Sequence, residues 1–295
     1  MKIRGLQVPK PLQKLQAVIP RLQPDFPNYA ALCNEEKNRL KGYKGEKQID
    51  YYLNILANRC TILHDVYLTV NGKSFQIDSI LATKRACYII ETKDYNKRVI
   101  FDTVLKQCIL SNGKVETGVN YPITQVENQK IQLENWLAKH NIGDVPIYYF
   151  VALSNPGTII EVKGNEQEIA NKVVHGDQLP KLILDIDRKL EDKFQDYKLG
   201  KAILQECGEF DFDILHKYGV KSTDIMPGVQ CPECGLLGMH RTYAYWECQS
   251  CKCRSKSAHI KAISDYLLIK KLLHNKQRLH ALSTNQLQKS SNQNT

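Results

Sequence analysis

Apolar positions recur along the chain in three rhythms, and each predicts a different element. In residues 45–57, GEKQIDYYLNILA, the residues Ile49, Leu53 and Leu56 recur at helical spacing and share one face. Glu46 stands three residues before Ile49 on the same stripe, a carboxylate where apolar atoms are expected. From residue 60 the rhythm shortens. CTILHDVYLTV is β-rich, and Asn71-Gly72-Lys73 is a strong hairpin turn. SFQIDSILAT then alternates, with Phe75, Ile77, Ser79 and Leu81 on one face and Gln76, Asp78 and Ile80 on the other. ACYIIETKD follows a short loop at Lys84-Arg85, and an even-numbered loop would set Asp78 opposite Glu91. Residues two apart in a strand point the same way, so Glu91 and Lys93 are aimed together.

Residues 98–118 predict further short strands, with a second turn at SNGK. The stretch 121–141 predicts a long helix after Pro122, and VPIYYFVALSN is a continuous apolar run of the kind that makes a central buried strand. Helix, antiparallel strands, helix and strand in that order predict an α/β fold with a mixed sheet flanked by helices. The chain therefore divides into an N-terminal helical arm (1–40), an α/β domain (41–160), a helical connector (161–225), a cysteine module (226–257), a helix (258–281) and a polar tail (282–295) whose composition predicts disorder. No internal repeat is visible.

Composition narrows the classes. The 295 residues suit roughly two domains. The net charge of +10 favours polyanionic partners, nucleic acid or an anionic surface. No segment reaches the roughly 18 apolar residues of a membrane span, and the first twenty residues interrupt their apolar positions with Gln, Lys and Pro. The expectation is a cytoplasmic protein without a membrane partner. Of ten cysteines, Cys33, Cys60, Cys87, Cys108 and Cys207 are scattered, while Cys231, Cys234, Cys248, Cys251 and Cys253 crowd together. In a reducing compartment such crowding reads as metal binding.

Hydrolysis of a phosphodiester needs a divalent cation, hard carboxylate ligands and a nearby cation or base to orient water. An Asp followed by Glu-x-Lys on the adjacent strand supplies these side chains. GYKGE, QIDSI and IIETKDY resemble the nuclease-related domain (NERD) of the PD-(D/E)XK nuclease superfamily, and NYPITQVENQ resembles that family's helix motif with its leading Gln. The resemblance covers residues 40–155 and implies a restriction-endonuclease-like core. It implies that Asp78 and Glu91 bind Mg²⁺ or Mn²⁺, and that Lys93 positions or activates the attacking water. Glu46 would complete the metal site through water or a second ion, and Gln125 would line it. The motif's leading Pro is absent, since Ile77 precedes Asp78. His64 and His140 receive no role, and Cys87, on the face of Glu91, is read as packing.

In the cysteine module, Cys231-x-x-Cys234 and Cys248-x-x-Cys251 are separated by thirteen residues. Two such knuckles bring four thiolates within tetrahedral reach of one Zn²⁺. The module looks like the zinc ribbons of topoisomerase tails and transcription factors. Cys253 could replace Cys251, and His240 is a weaker substitute. Cations and aromatics interleave across it, Arg241, Tyr245, Trp246, Lys252 and Arg254 among them, as suits nucleic acid held by stacking and phosphate contact. The resulting expectation is a metal-dependent nuclease acting on DNA, with the ribbon as a tether. Its rivals are a nuclease fold that binds nucleic acid without cutting it, and an adaptor whose ribbon binds a protein partner.

Overall fold

The computed structural model describes residues 1–270. The expected helix over 258–281 is described as far as Lys270, and its remainder and the tail lie outside the described residues. In chain order the elements are β1 (Lys2–Arg4), α1 (Lys10–Val18), α2 (Tyr29–Leu53), β2 (Thr61–Val70), β3 (Lys73–Ala82), β4 (Cys87–Lys93), β5 (Arg98–Asp102), β6 (Gln107–Ser111), β7 (Glu116–Val119), α3 (Pro122–Lys139), β8 (Ile147–Leu153), β9 (Ile159–Lys163), α4 (Glu166–Ala170), β10 (Val173–His175), α5 (Leu179–Asp187), α6 (Asp196–Glu206), α7 (Ile214–Tyr218), β11 (His240–Arg241), β12 (Trp246–Glu247), β13 (Arg254–Ser255) and α8 (Ala258–Lys270). They fall into two compact units, residues 1–10 with 37–212 and residues 11–36 with 213 onward.

The first unit is built on a mixed six-stranded sheet in the order β1-β2-β3-β4-β8-β10. β2, β3 and β4 are antiparallel neighbours, while β4 and β8 run parallel, as a strand–helix–strand crossover through α3 requires. One face buries Ile123, Val126 and Leu133 of α3 with Leu199 and Ile203 of α6. The other buries Ile49 and Leu53 of α2 with Leu179 and Ile183 of α5. Beyond the ends of β4 and β8 the same two chain segments continue as β5 and β9, again parallel, in a second sheet of order β7-β6-β5-β9.

Three features differ from the pattern-based expectation. α2 begins at Tyr29, well before residue 45, because 29–44 contains no proline to stop it. The expected helical connector also supplies β9 and β10, and β10 is the sixth strand of the main sheet. The alternation along β3 does not hold throughout: Phe75 and Ile77 share a cluster with Ile80 and Ala82, while Leu81 joins the opposite one. The core-facing parity of β2 changes at the same level, where Asp65 takes a φ of 51° and breaks the pleat.

The second unit contains α1, α7, α8 and a three-stranded sheet of order β11-β12-β13. Around that sheet Val229, Met239, Trp246 and Ala258 form a small core with Cys231 and Cys248. Arg21 is buried here, donating to the carbonyls of Met226 and Gly228 and paired with Asp265 at 3.1 Å. No described helix is long and apolar enough to cross a membrane.

Candidate functional sites

The turn between β3 and β4 holds four residues, Thr83 to Ala86, so the ladder pairs Ala82 with Cys87 and Ser79 with Ile90. One step further, Asp78 stands level with Glu91. Asp78 Oδ2 accepts the backbone N–H of Thr92 at 2.8 Å, which fixes the carboxylate against β4. Glu91 is buried, with three donors on its carboxylate. Lys93 Nζ and Gln125 Nε2 both reach Oε1 at 2.7 Å, and Gln129 Nε2 reaches Oε2 at 2.7 Å. Lys93 also donates to Gln125 Oε1 at 3.0 Å.

Glu46 is brought in by α2, and a glycine lets it come close. A Cβ on Gly45 would lie 2.9 Å from Ser154 Oγ and 3.2 Å from Asp94 Cβ, at the ends of β8 and β4. Gly45→Ala is expected to lower the thermal midpoint. Overpacking of about 1–3 kcal/mol outweighs the roughly 1 kcal/mol that alanine contributes to a helix interior. A melt in which this variant gains stability would show that the contact yields freely.

The charges at this site oppose one another. Burial, then the negative charges of Asp65 and Glu91, push the Glu46 carboxyl up to about 7. Asp78 is packed round by neighbouring strands although part of its surface reaches solvent. Burial, then Glu91 and Glu46, hold it well above the usual carboxylate range, against the opposing pull of the Thr92 N–H and of Lys93. One lysine does not balance this negative charge, and a divalent cation would. The acceptors left over suit it: Asp78 Oδ1 has no hydrogen-bond donor among the described residues, and Glu91 Oε2 has one. Mg²⁺ commonly takes only one or two carboxylates and keeps water for the rest.

Glu46, Asp78, Glu91, Lys93 and Gln125 are thus brought together, and two further residues join them. Gln129 lies one turn beyond Gln125 on α3, is buried, and spans from Glu91 to the Gln76 carbonyl at 3.0 Å. Its signal in the sequence is the i, i+4 repeat of glutamine. Asp65 is level with Asp78 by the register that pairs His64 with Ser79 and Val66 with Ile77. Counting back from the Asn71-Gly72 turn would have found it. His64 is a buried link rather than a site residue: its Nδ1 lies 2.8 Å from Ser79 Oγ and its Nε2 2.9 Å from Asp50, one turn beyond Glu46.

The family model described as Nuclease-related domain, NERD, matches residues 41–154. That span contains Glu46, Asp65, Asp78, Glu91, Lys93, Gln125 and Gln129, so the whole cluster lies within the matched residues. Comparison with curated proteins finds no match. Among solved structures, the chain is similar to the crystal structure of protein VC1899 from Vibrio cholerae, with 12% identity and a TM-score of 0.25. The similarity covers 56% of this chain and 36% of that one.

Outside the matched residues, the Sγ atoms of Cys231, Cys234, Cys248 and Cys251 all lie within 4.8 Å of one another. Among the described residues this is the one group of three or more such side chains gathered so closely. The backbone N–H of Cys234, then that of Glu233, acts on Cys231 to bring its thiol down to about 6, and the N–H groups of Cys251 and Ser250 lower Cys248. Such donation favours the thiolates that a Zn²⁺ ion takes. Cys253 stands beside the four and not among them, and His240 is not part of the group. Trp246 belongs to the ribbon's own core and stacks on His259, so its ring is not offered outward. Tyr245 lies under Arg254 at 4.7 Å, and Arg241 lies over Trp246 at 5.6 Å. The fully exposed ring is Tyr243, at the tip of the β11–β12 hairpin.

Proposed function

We propose that this protein is a metal-dependent nuclease that hydrolyses phosphodiester bonds in DNA, with a zinc ribbon aiding nucleic-acid binding. The observation that carries the reading is the meeting of Asp78, Glu91 and Lys93 at one end of the sheet, with Gln125 reaching both Glu91 and Lys93. When bound, Mg²⁺ or Mn²⁺ would neutralise phosphate oxygens and lower the pKa of a water. Asp78 and Glu91 are the ligands assigned to it. Gln125 and Gln129 grip opposite oxygens of Glu91, so the carboxylate is oriented before substrate arrives. Lys93 offers its ammonium to the attacking water or to a phosphate oxygen. Glu46, with its carboxyl pushed up to about 7, is suited to hold and release a proton near neutral pH. Zn²⁺ is assigned to Cys231, Cys234, Cys248 and Cys251. The nucleic-acid contacts of the ribbon are assigned to Arg241, Tyr245, Lys252 and Arg254, and Trp246 supports them from beneath.

The test uses the full chain with Mg²⁺ or Mn²⁺ against labelled DNA and RNA. Metal-dependent cleavage is expected, and Lys93→Ala should abolish it while binding is retained. A Lys93→Ala protein that cleaves at the parent's rate would overturn the assignment. Binding without cleavage by the parent would favour a catalytically silent nuclease fold.

A further inference from the structure

A cleft of about 590 Å³ opens at the end of the main sheet where the β2–β3 ladder finishes with Thr61 against Ala82, and its lining belongs wholly to the first unit. Small-molecule sites commonly enclose about 300–1,000 Å³. The carboxylate cluster is elsewhere: about 13 Å of β4 separates Cys87, at this end, from Glu91. Leu56, Cys60 and Ile183, all buried, give the cleft an apolar floor.

Every acid on its walls is already engaged. Asp187 accepts from Thr83 Oγ1 at 2.6 Å and from the Tyr88 hydroxyl at 3.2 Å, and faces Arg85 at 3.6 Å. Asp192 accepts from Arg85 Nε at 2.7 Å, and Asp196 from Thr61 Oγ1 at 2.7 Å. Arg188 pairs with Asp185. Arg59 and Lys84 are different. They leave the sheet two residues beyond the Thr61–Ala82 pair, and both are exposed. Among the described residues neither makes an ion pair or a side-chain hydrogen bond. Asn58 precedes them on the wall with its amide equally unpartnered, and the Tyr197 ring, 41% exposed with Lys201 over it at 4.8 Å, lines the same cleft.

The groups left over describe the ligand that would complete them. Two free cations call for an anion, the amide offers both a donor and an acceptor, and the ring and floor call for a flat, largely apolar body. We propose that this cleft binds a nucleoside phosphate, with its phosphate taken by Arg59 and Lys84 and its base by the Tyr197 ring and the Asn58 amide. Cationic donors hold phosphate oxygens through charge-assisted bonds, and an aromatic ring stacks on a planar base. Inorganic phosphate or a small carboxylate would use the cations and leave the ring and floor bare. The assignment does not rest on the nuclease reading, because it asks nothing of Glu46, Asp78 or Glu91.

Isothermal titration of the full chain in metal-free buffer tests the proposal, with the ribonucleoside monophosphates and triphosphates as probes and pyrophosphate as the control. Without a cation the carboxylate cluster repels anions, so it does not compete for them. A nucleotide should bind at one per chain, at least about tenfold more tightly than pyrophosphate. Combining Arg59→Gln and Lys84→Gln should weaken that binding at least about tenfold, because the charge-assisted contacts to phosphate are lost. The thermal midpoint without ligand should stay at the parent's value, since neither side chain has a partner to lose. Tyr197→Ala should weaken binding about threefold and Tyr197→Phe should restore it, as stacking on a ring requires. If no nucleotide binds, if pyrophosphate binds as tightly, or if the double variant matches the parent, the assignment is overturned. Parent affinity in Tyr197→Ala overturns the placement of the base.

Discussion

Asp78→Asn should reduce Mn²⁺-supported cleavage roughly 10³-fold or more and, in the same protein, raise the thermal midpoint measured without metal. The first effect follows from removing a ligand of the cation, whose charge stabilisation amounts to several kcal/mol. The second follows from the crowding of carboxylates. Asp78 is held above its usual range by burial and by its neighbours, and Glu46 is pushed from 4.5 up to about 7. Asparagine keeps an oxygen for the Thr92 N–H and removes one of the repelling charges. The sign of the pH dependence is fixed by the direction of the shifts. Between pH 4.5 and about 7, Glu46 keeps its proton in the folded protein and has lost it in the unfolded chain. Metal-free stability should therefore fall as pH rises through that window, by about 1–3 kcal/mol after solvent screening. Added Mg²⁺ or Mn²⁺ should offset the loss, because a ligand that binds only the folded state stabilises it. Melts at pH 5 and pH 8, with and without metal, measure all of this. A metal-free protein more stable at pH 8 than at pH 5, and no more so in Asp78→Asn, would contradict the electrostatic account.

Zinc removal should have the second large effect. One Zn²⁺ per chain is expected to co-purify, and Cys231→Ser or Cys248→Ser should lose it. Folding energy at structural zinc sites is on the order of 10–16 kcal/mol in isolated fingers, more than the small core around Met239 and Trp246 can replace. Chelation should thus melt the ribbon while residues 41–154 keep their secondary structure. Cys253→Ser should retain the metal and Cys251→Ser should not, as the gathering of the four Sγ atoms implies. Metal analysis that finds no zinc, or finds it lost only in Cys253→Ser, would refute this ligand set.

The parts of the fold that were legible are those in which neighbours in space are also neighbours in sequence. The Asp78–Glu91 juxtaposition could be read because a four-residue turn closes that hairpin and sets its register. Glu46 announced itself as a carboxylate on an apolar stripe. β1 and β10, of three residues each, escaped notice because so short a strand displays no period and pairs with partners remote in sequence. The parity change at Asp65 and Asp78 was equally hidden, since a positive φ at a non-glycine residue leaves no mark in a hydrophobic pattern. The role of Gln129 is not legible from the sequence because it depends on which α3 face meets β4. By composition Trp246 suits a stacking surface, but so small a module has few side chains with which to fill its interior, and this ring does so.

Arg21 and Asp265 meet across 244 residues of sequence. The guanidinium leaves the ribosome 205 to 244 residues before the groups that satisfy it, the Met226 and Gly228 carbonyls and the Asp265 carboxylate. Between them residues 37–212 of the first unit are synthesised and can fold. The second unit therefore closes only once Asp265 has been made, with α1 held in waiting until then. A chain cut at residue 220 would lack the ribbon and would also leave Arg21 without the carboxylate and carbonyls that satisfy it, so damage beyond residue 220 would be felt at Arg21, just after α1.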